Sequence, residues 1–179
     1  MPRFPRLSTR LSLLALSAPG LFADVKLNGI FAENMVLQRD MELPVYGTAD
    51  DGEKVTVSFN GQSAETVAKD GKWKVKFKAM KAGGPFVMTV TGKNALVLKN
   101  ILMGDVWLLT GQSNMDTTLG GYLKFKELYE GIPGTYSNDN IRLFKVKVDG
   151  ADTPQSEVVP NAQWGSNWRV CESNSSLSI

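Results

Sequence analysis

The 179-residue sequence contains no histidine and a single cysteine, Cys171. Without histidine these residues lack the side chain most often used as a general base near neutral pH, so any imidazole has to come from elsewhere. One cysteine excludes an intrachain disulfide framework and a cysteine-rich zinc site. Excess charge of one sign is missing too: 20 Lys+Arg face 18 Asp+Glu, which offers no basic face large enough for nucleic acid. What is present, 42% hydrophobic residues at a mean hydropathy of -0.14, suffices to bury a core. The length corresponds to about one domain at roughly 150 residues each.

Residues 1–23 read as an export signal. Arg3, Arg6 and Arg10 make a positive start, Leu11 to Ala18 is a short apolar run, and Pro19-Gly20 breaks it before Leu21-Phe22-Ala23. The run falls short of the ~20 residues a helix needs to cross a bilayer, and no later stretch reaches that length. Cleavage is expected after Ala23, although Leu21 fits an A-x-A site poorly. The competing reading is an unstructured cytosolic N-terminus. Removing the signal takes away three of the 20 basic residues, so 17 oppose 18 acidic ones and the net charge becomes −1. The product is expected to be periplasmic or secreted, and off the membrane once the signal is removed.

From Lys54 to Thr91 the sequence alternates with period two, the mark of half-buried strands. Val55, Val57 and Phe59 oppose Lys54, Thr56 and Ser58, and Asn60-Gly61 supplies a two-residue hairpin turn before Gln62 to Val67 returns. Asp70-Gly71 turns the chain again, and Trp73, Val75 and Phe77 alternate with Lys72, Lys74, Lys76 and Lys78. Gly83-Gly84-Pro85 breaks that pattern before Phe86, Met88 and Val90 resume it, while Pro44–Thr48 and Ala95–Leu102 add strands on either side. Six or so short strands predict an antiparallel sandwich over residues 24–103. The lysine stripe is expected to be the solvated face of a strand rather than a polyanion site. Gly47 and Gly52 have phosphate-loop separation, but Glu53-Lys54 follow where Gly-Lys-Ser/Thr is needed.

Near Gly104 the pattern changes. Val106-Trp107-Leu108-Leu109-Thr110 is a continuous apolar run, as expected of a central strand buried on both faces. After Gly111-Gln112-Ser113-Asn114-Met115-Asp116 come Leu119, Leu123, Phe125 and Leu128 at loosely helical spacing, then a turn at Asn138–Asn140 and a strand candidate at Ile141–Val148. This predicts one strand-helix-strand unit, the start of an α/β layer over residues 104–179. The fold class expected is thus mixed α+β.

Strand, tight glycine turn, serine, helix is also how a chain exposes a nucleophile. Ser113 would project its hydroxyl at the sheet's carboxyl edge, where backbone amides can meet an oxyanion. Met115 breaks the G-x-S-x-G pattern and Asp116 stands where a Ser-x-x-Lys site needs lysine. By pattern alone a helix N-cap at Ser113 with Asp116 as its acidic partner is the better account.

The run Gly104-Asp105-Val106-Trp107-Leu108-Leu109-Thr110-Gly111-Gln112-Ser113-Asn114-Met115 resembles the nucleophile block of the sialate O-acetylesterase-like SGNH hydrolases. So do Phe31-Ala32-Glu33-Asn34-Met35-Val36-Leu37-Gln38-Arg39-Asp40, Asp70-Gly71-Lys72-Trp73 and Asn140-Ile141-Arg142-Leu143-Phe144, and the match runs in order from Val25 to Cys171. Asp116 departs slightly, since the family more often carries Glu there. The resemblance implies a flavodoxin-like SGNH hydrolase domain that removes acetyl groups from an acetylated carbohydrate substrate. It implies Ser113 as nucleophile, with its own amide as one oxyanion donor, and no metal or organic cofactor. In the family a glycine and an asparagine from later blocks complete the oxyanion hole, and a late Asp-x-x-His segment supplies the base. None of the 179 residues is a histidine, so the chain is expected to be a truncated member with little or no activity of its own.

Two other readings stand beside this one. The sandwich could be a glycan- or protein-binding module with no catalysis, or another chain could supply the missing half. Asp105, Asp116 and Asp149-Gly150-Ala151-Asp152 lack the ligand spacing of an EF-hand and are expected in turns and caps. Trp164 and Trp168 could stack on a sugar ring, but core or interface packing is the expected use.

Overall fold

Asn60-Gly61 reverses the chain in two residues, both at positive φ (45° and 73°), and so joins β4 (Lys54–Phe59) to β5 (Gln62–Val67) as an antiparallel hairpin. The computed structural model to which this hairpin belongs describes residues 24–111, 137–147, 150–161 and 167–171. Its other strands are β1 (Lys26–Leu27), β2 (Val36–Gln38), β3 (Leu43–Thr48), β6 (Lys72–Phe77), β7 (Gly83–Thr91), β8 (Ala95–Gly104), β9 (Asn138–Phe144) and β10 (Trp168–Cys171). No helix occurs among the described residues, and none there is long and apolar enough to cross a membrane. Residues 1–23 and the helix expected after Ser113 lie outside the described residues.

Two sheets face each other. One has five strands in the order β2-β8-β7-β4-β5 and the other three in the order β1-β3-β6. Val55, Val57 and Phe59 from β4, with Met88, Val90, Ile101 and Met103, meet Leu43, Val45, Trp73, Val75 and Phe77 in one buried cluster. Phe59 anchors it, with edge-on contacts to Phe77 at 6.2 Å and Phe86 at 5.8 Å. Period-two alternation therefore becomes inside and outside as expected: along β6 the aromatic and valine positions are buried and the lysines exposed.

Three features depart from the sequence reading. The sandwich is not purely antiparallel, because β2 pairs parallel to β8, Val36 opposite Leu102 and Gln38 opposite Gly104. Strands as short as β1 and β2 carry too few residues to show alternation. The expected strand break at Gly83-Gly84-Pro85 lies within β7, where register shifts between Gly83 and Met88 absorb the irregularity.

The third departure concerns the region after Gly104. Val106–Thr110 forms no strand, and its side chains stand in solvent, with Trp107 82% and Leu108 88% exposed. A strand buried on both faces needs neighbours on both edges, and none of the described residues pairs with this run. Asn138–Asn140, expected as a turn, opens β9, because antiparallel pairing with β10 overrides the turn preference of asparagine. Among the described residues β9 and β10 pair antiparallel in a two-stranded sheet.

Candidate active site

β8 carries the chain to the rim of the sandwich at Gly104, nine residues before Ser113. The departure point is held from three directions. Parallel pairing places Gln38 opposite Gly104, and the Arg39 amide donates to the Gly104 carbonyl at 2.9 Å. The Val106 amide donates to the Gln38 side-chain oxygen at 2.9 Å. The Arg39 guanidinium grips Asp105 with two bonds, Nε to Oδ1 at 2.9 Å and Nη2 to Oδ2 at 3.2 Å. Such two-point pairing fixes orientation as well as distance, which a single lysine contact would not.

The same rim continues through Asp40. Its amide donates to the Met80 carbonyl at 2.9 Å, and its carboxylate accepts from Lys81 Nζ at 2.6 Å and Arg39 Nη1 at 3.2 Å. Hydrogen bonding to Arg39 holds the Asp105 carboxyl below its ordinary range, and Lys81 does the same for Asp40. Arg39 is raised in turn, chiefly by its bond to Asp105. All three remain ionised through neutral pH, so the clamp is a fixed structural charge cluster rather than a proton-transfer device.

A second tie joins the later segments to β8. Asn100, at φ 57° within the strand, donates from Nδ2 to Asn34 Oδ1 at 2.8 Å, and Arg142 of β9 donates from Nη2 to Asn100 Oδ1 at 3.3 Å. Desolvation lowers the pKa of the Arg142 guanidinium, whose Nε is buried and finds no hydrogen-bond partner among the described residues. Trp168 of β10 is 7% exposed, donates from Nε1 to the Ile30 carbonyl at 2.7 Å and lies 5.2 Å from the Phe144 ring. The packing role expected of Trp168 is therefore the one it has; Trp164 lies outside the described residues.

Ser113, the nucleophile expected from the sequence, lies outside the described residues, as does Asp116. The structure brings Asp105 to Arg39 and leaves Val106 to Gly111 exposed on the way to the serine. Gln38 and Arg39 were not singled out by sequence reasoning as positioning residues. A signal was present: an Arg-Asp pair directly after a short apolar stretch, with a lone Asp directly after the end of a later strand. No group of three or more His, Cys, Asp or Glu that could hold a metal ion occurs among the described residues.

Comparison with known proteins adds to this geometry. No protein-family profile matches the chain. It is similar to the sialate O-acetylesterase of Rattus norvegicus, 31% identical over 140 residues that make up 69% of this chain and 25% of the relative. The Homo sapiens sialate O-acetylesterase is 30% identical over 146 residues, 73% of this chain and 27% of that protein. Among solved structures, a carbohydrate acetylesterase from Xanthomonas citri superposes with a TM-score of 0.70 at 29% identity, over 87% of this chain and 34% of that one. The chain thus spans about a quarter of the length of the curated relatives it matches.

Proposed function

We propose that this chain, a partial sialate O-acetylesterase-like protein, supplies the amino-terminal portion of a carbohydrate O-acetylesterase that hydrolyses acetyl esters on sugar hydroxyls. In this reading Ser113 is the nucleophile and its backbone amide one oxyanion donor. The observation that carries it is the clamp at the end of β8. Arg39, Gln38 and Asp105 bind two distant blocks of sequence into one rim, and Ser113 follows eight residues after Asp105. Such anchoring suits a nucleophile, whose approach to an ester carbonyl tolerates little displacement.

The chemistry needs a partner group. A serine hydroxyl is a weak nucleophile at its own pKa, and general-base assistance contributes roughly 10²- to 10⁴-fold. These 179 residues contain no histidine, so any imidazole base for Ser113 has to be supplied from elsewhere. The 179-residue polypeptide alone is therefore expected to be all but inactive. Joining residues 24–171 to the later part of the Xanthomonas citri acetylesterase is expected to restore acetate release from an acetylated sugar, and Ser113→Ala to abolish it. A folded chimera that releases no acetate would count against the esterase reading. Serine-dependent turnover of p-nitrophenyl acetate by the 179-residue chain itself would refute its inactivity.

Residues 1–23 direct this protein to the periplasm or out of the cell, a reading that rests on the basic start and short apolar run. Mass spectrometry of the exported protein tests it; a retained Met1 would contradict it. A second reading, a non-catalytic sandwich that binds glycan, is favoured by one observation, a cleft beside Tyr46.

A further inference from the structure

The outer face of the three-stranded sheet is not flat. Ser156 and Glu157 close over it beside Tyr46 and leave a cleft of about 430 Å³, within the roughly 300–1,000 Å³ typical of small-ligand sites. Its wall is fixed by the loop after β1. Asn28, 2% exposed, donates from Nδ2 to the Ser156 carbonyl at 3.2 Å and to Glu157 Oε2 at 2.8 Å, while its own Oδ1 accepts from the Ile30 amide at 3.2 Å. Glu157, itself part of the lining, is thus fixed in place by a neutral amide. The floor is fixed as well: Trp73 Nε1 donates to the Thr48 carbonyl at 3.1 Å, and the Tyr46 ring sits 5.1 Å from Phe31 in an edge-on contact.

The cleft is lined by charges of both signs. Lys54 is paired with Glu65 and Lys76 with Glu42, but Lys72 and Lys74, both lining the cleft, make no ion pair among the described residues. Two residues apart on β6, they project from the same face about 7 Å apart. Two ammonium groups, one carboxylate (Glu157), a tyrosine ring, and the hydroxyl-bearing Thr66 and Ser156 share one rim, and the cations outnumber the anion. The set offers donors for an anion, hydroxyls for hydroxyls, and an aromatic surface for a ring's apolar edge.

We propose that this cleft binds an anionic sugar, a carboxylated or sulfated ring of a larger glycan, and that it does so independently of the chemistry at Ser113. The anionic group lies between Lys72 and Lys74 and the ring against Tyr46. Only these two positions of the lysine stripe take part; Lys76 and Lys78 stay solvated side chains of the same face.

Isothermal titration of the 179-residue protein with trigalacturonate, a sulfated galactan oligosaccharide and neutral xylotriose tests this directly. At least one acidic oligosaccharide is expected to bind, and the neutral one at least about 10-fold more weakly, with affinity falling as salt rises because the charges face solvent. Which acidic ligand is preferred separates carboxylate from sulfate. The double variant Lys72→Gln/Lys74→Gln is expected to lose about 10-fold or more, and Lys76→Gln/Lys78→Gln to bind like the parent, with unchanged circular dichroism in both. No binding by either acidic ligand, equal binding of the neutral one, or equal losses in the two double variants would overturn the proposal. None of these readouts depends on ester hydrolysis, so its failure leaves the esterase reading where it stands.

Discussion

Trp168 offers the most direct measurement of how firmly the β9–β10 pair is seated on the sandwich. Its indole is 7% exposed, its Nε1 donates to the Ile30 carbonyl at 2.7 Å and its ring meets Phe144 at 5.2 Å. Trp168→Phe keeps an aromatic ring but removes the donor, stranding a partly buried carbonyl; the cost expected is about 1–3 kcal/mol. Trp168→Ala removes the ring as well and leaves a cavity, for an expected cost of about 3–5 kcal/mol. A double-mutant cycle with Phe144→Leu isolates the ring pair, expected at about 0.5–1.5 kcal/mol. Urea titrations followed in parallel by far-ultraviolet dichroism and tryptophan fluorescence supply the free energies, and coincident transitions confirm that one cooperative unit is unfolding. If Trp168→Ala shifts stability by less than about 0.5 kcal/mol, the two-stranded sheet is not packed on the loop after β1 and the reasoning fails.

Two further outcomes follow from the geometry. Gly47→Ala drives a methyl group into the Lys26 carbonyl oxygen, a backbone atom that cannot step aside without breaking β1 from β3; a loss of about 1–3 kcal/mol in the same titration is expected, and a neutral result would contradict the pairing of Leu27 with Gly47. The pH dependence of the rim clamp has a definite sign: the Asp105 and Asp40 carboxyls are lowered in the folded state, so their contribution is present above the ordinary carboxylate pKa of ~3.9 and is lost as pH falls through the lower folded values. Melting temperatures of the parent and Asp105→Asn should accordingly differ by a constant amount from pH 8 to about 5 and converge in acid; a gap that widens toward pH 8 would refute it.

The hairpin at Asn60-Gly61 and the inside-outside order of β4 and β6 were legible because both are local. An asparagine-glycine pair specifies its turn, and alternation with period two specifies two faces. The parallel contact of β2 with β8 was not legible, since three residues show no period and their partner lies 66 positions away. Val106–Thr110 shows the converse error. Continuous apolarity says that a segment can be buried, but burial also requires neighbours, which the local sequence does not contain. Asn138–Asn140 misled for a related reason, as its turn preference is weaker than pairing with β10. Of the candidate site, Ser113 is read from its sequence block alone and lies outside the described residues, whereas Gln38 and Arg39 became visible only once the parallel pairing set them beside Asp105.

That parallel pairing also bears on the order in which the protein can assemble during synthesis. Gln38 and Arg39 leave the ribosome early, yet their partners at Gly104 and Asp105 follow only after β3 to β8 have been made. Closing so long a loop first would be entropically costly, while the β4–β5 and β7–β8 hairpins close over a few residues. The hairpins are therefore expected to form before the rim, with the sandwich closing last at the residues that grip the outgoing chain.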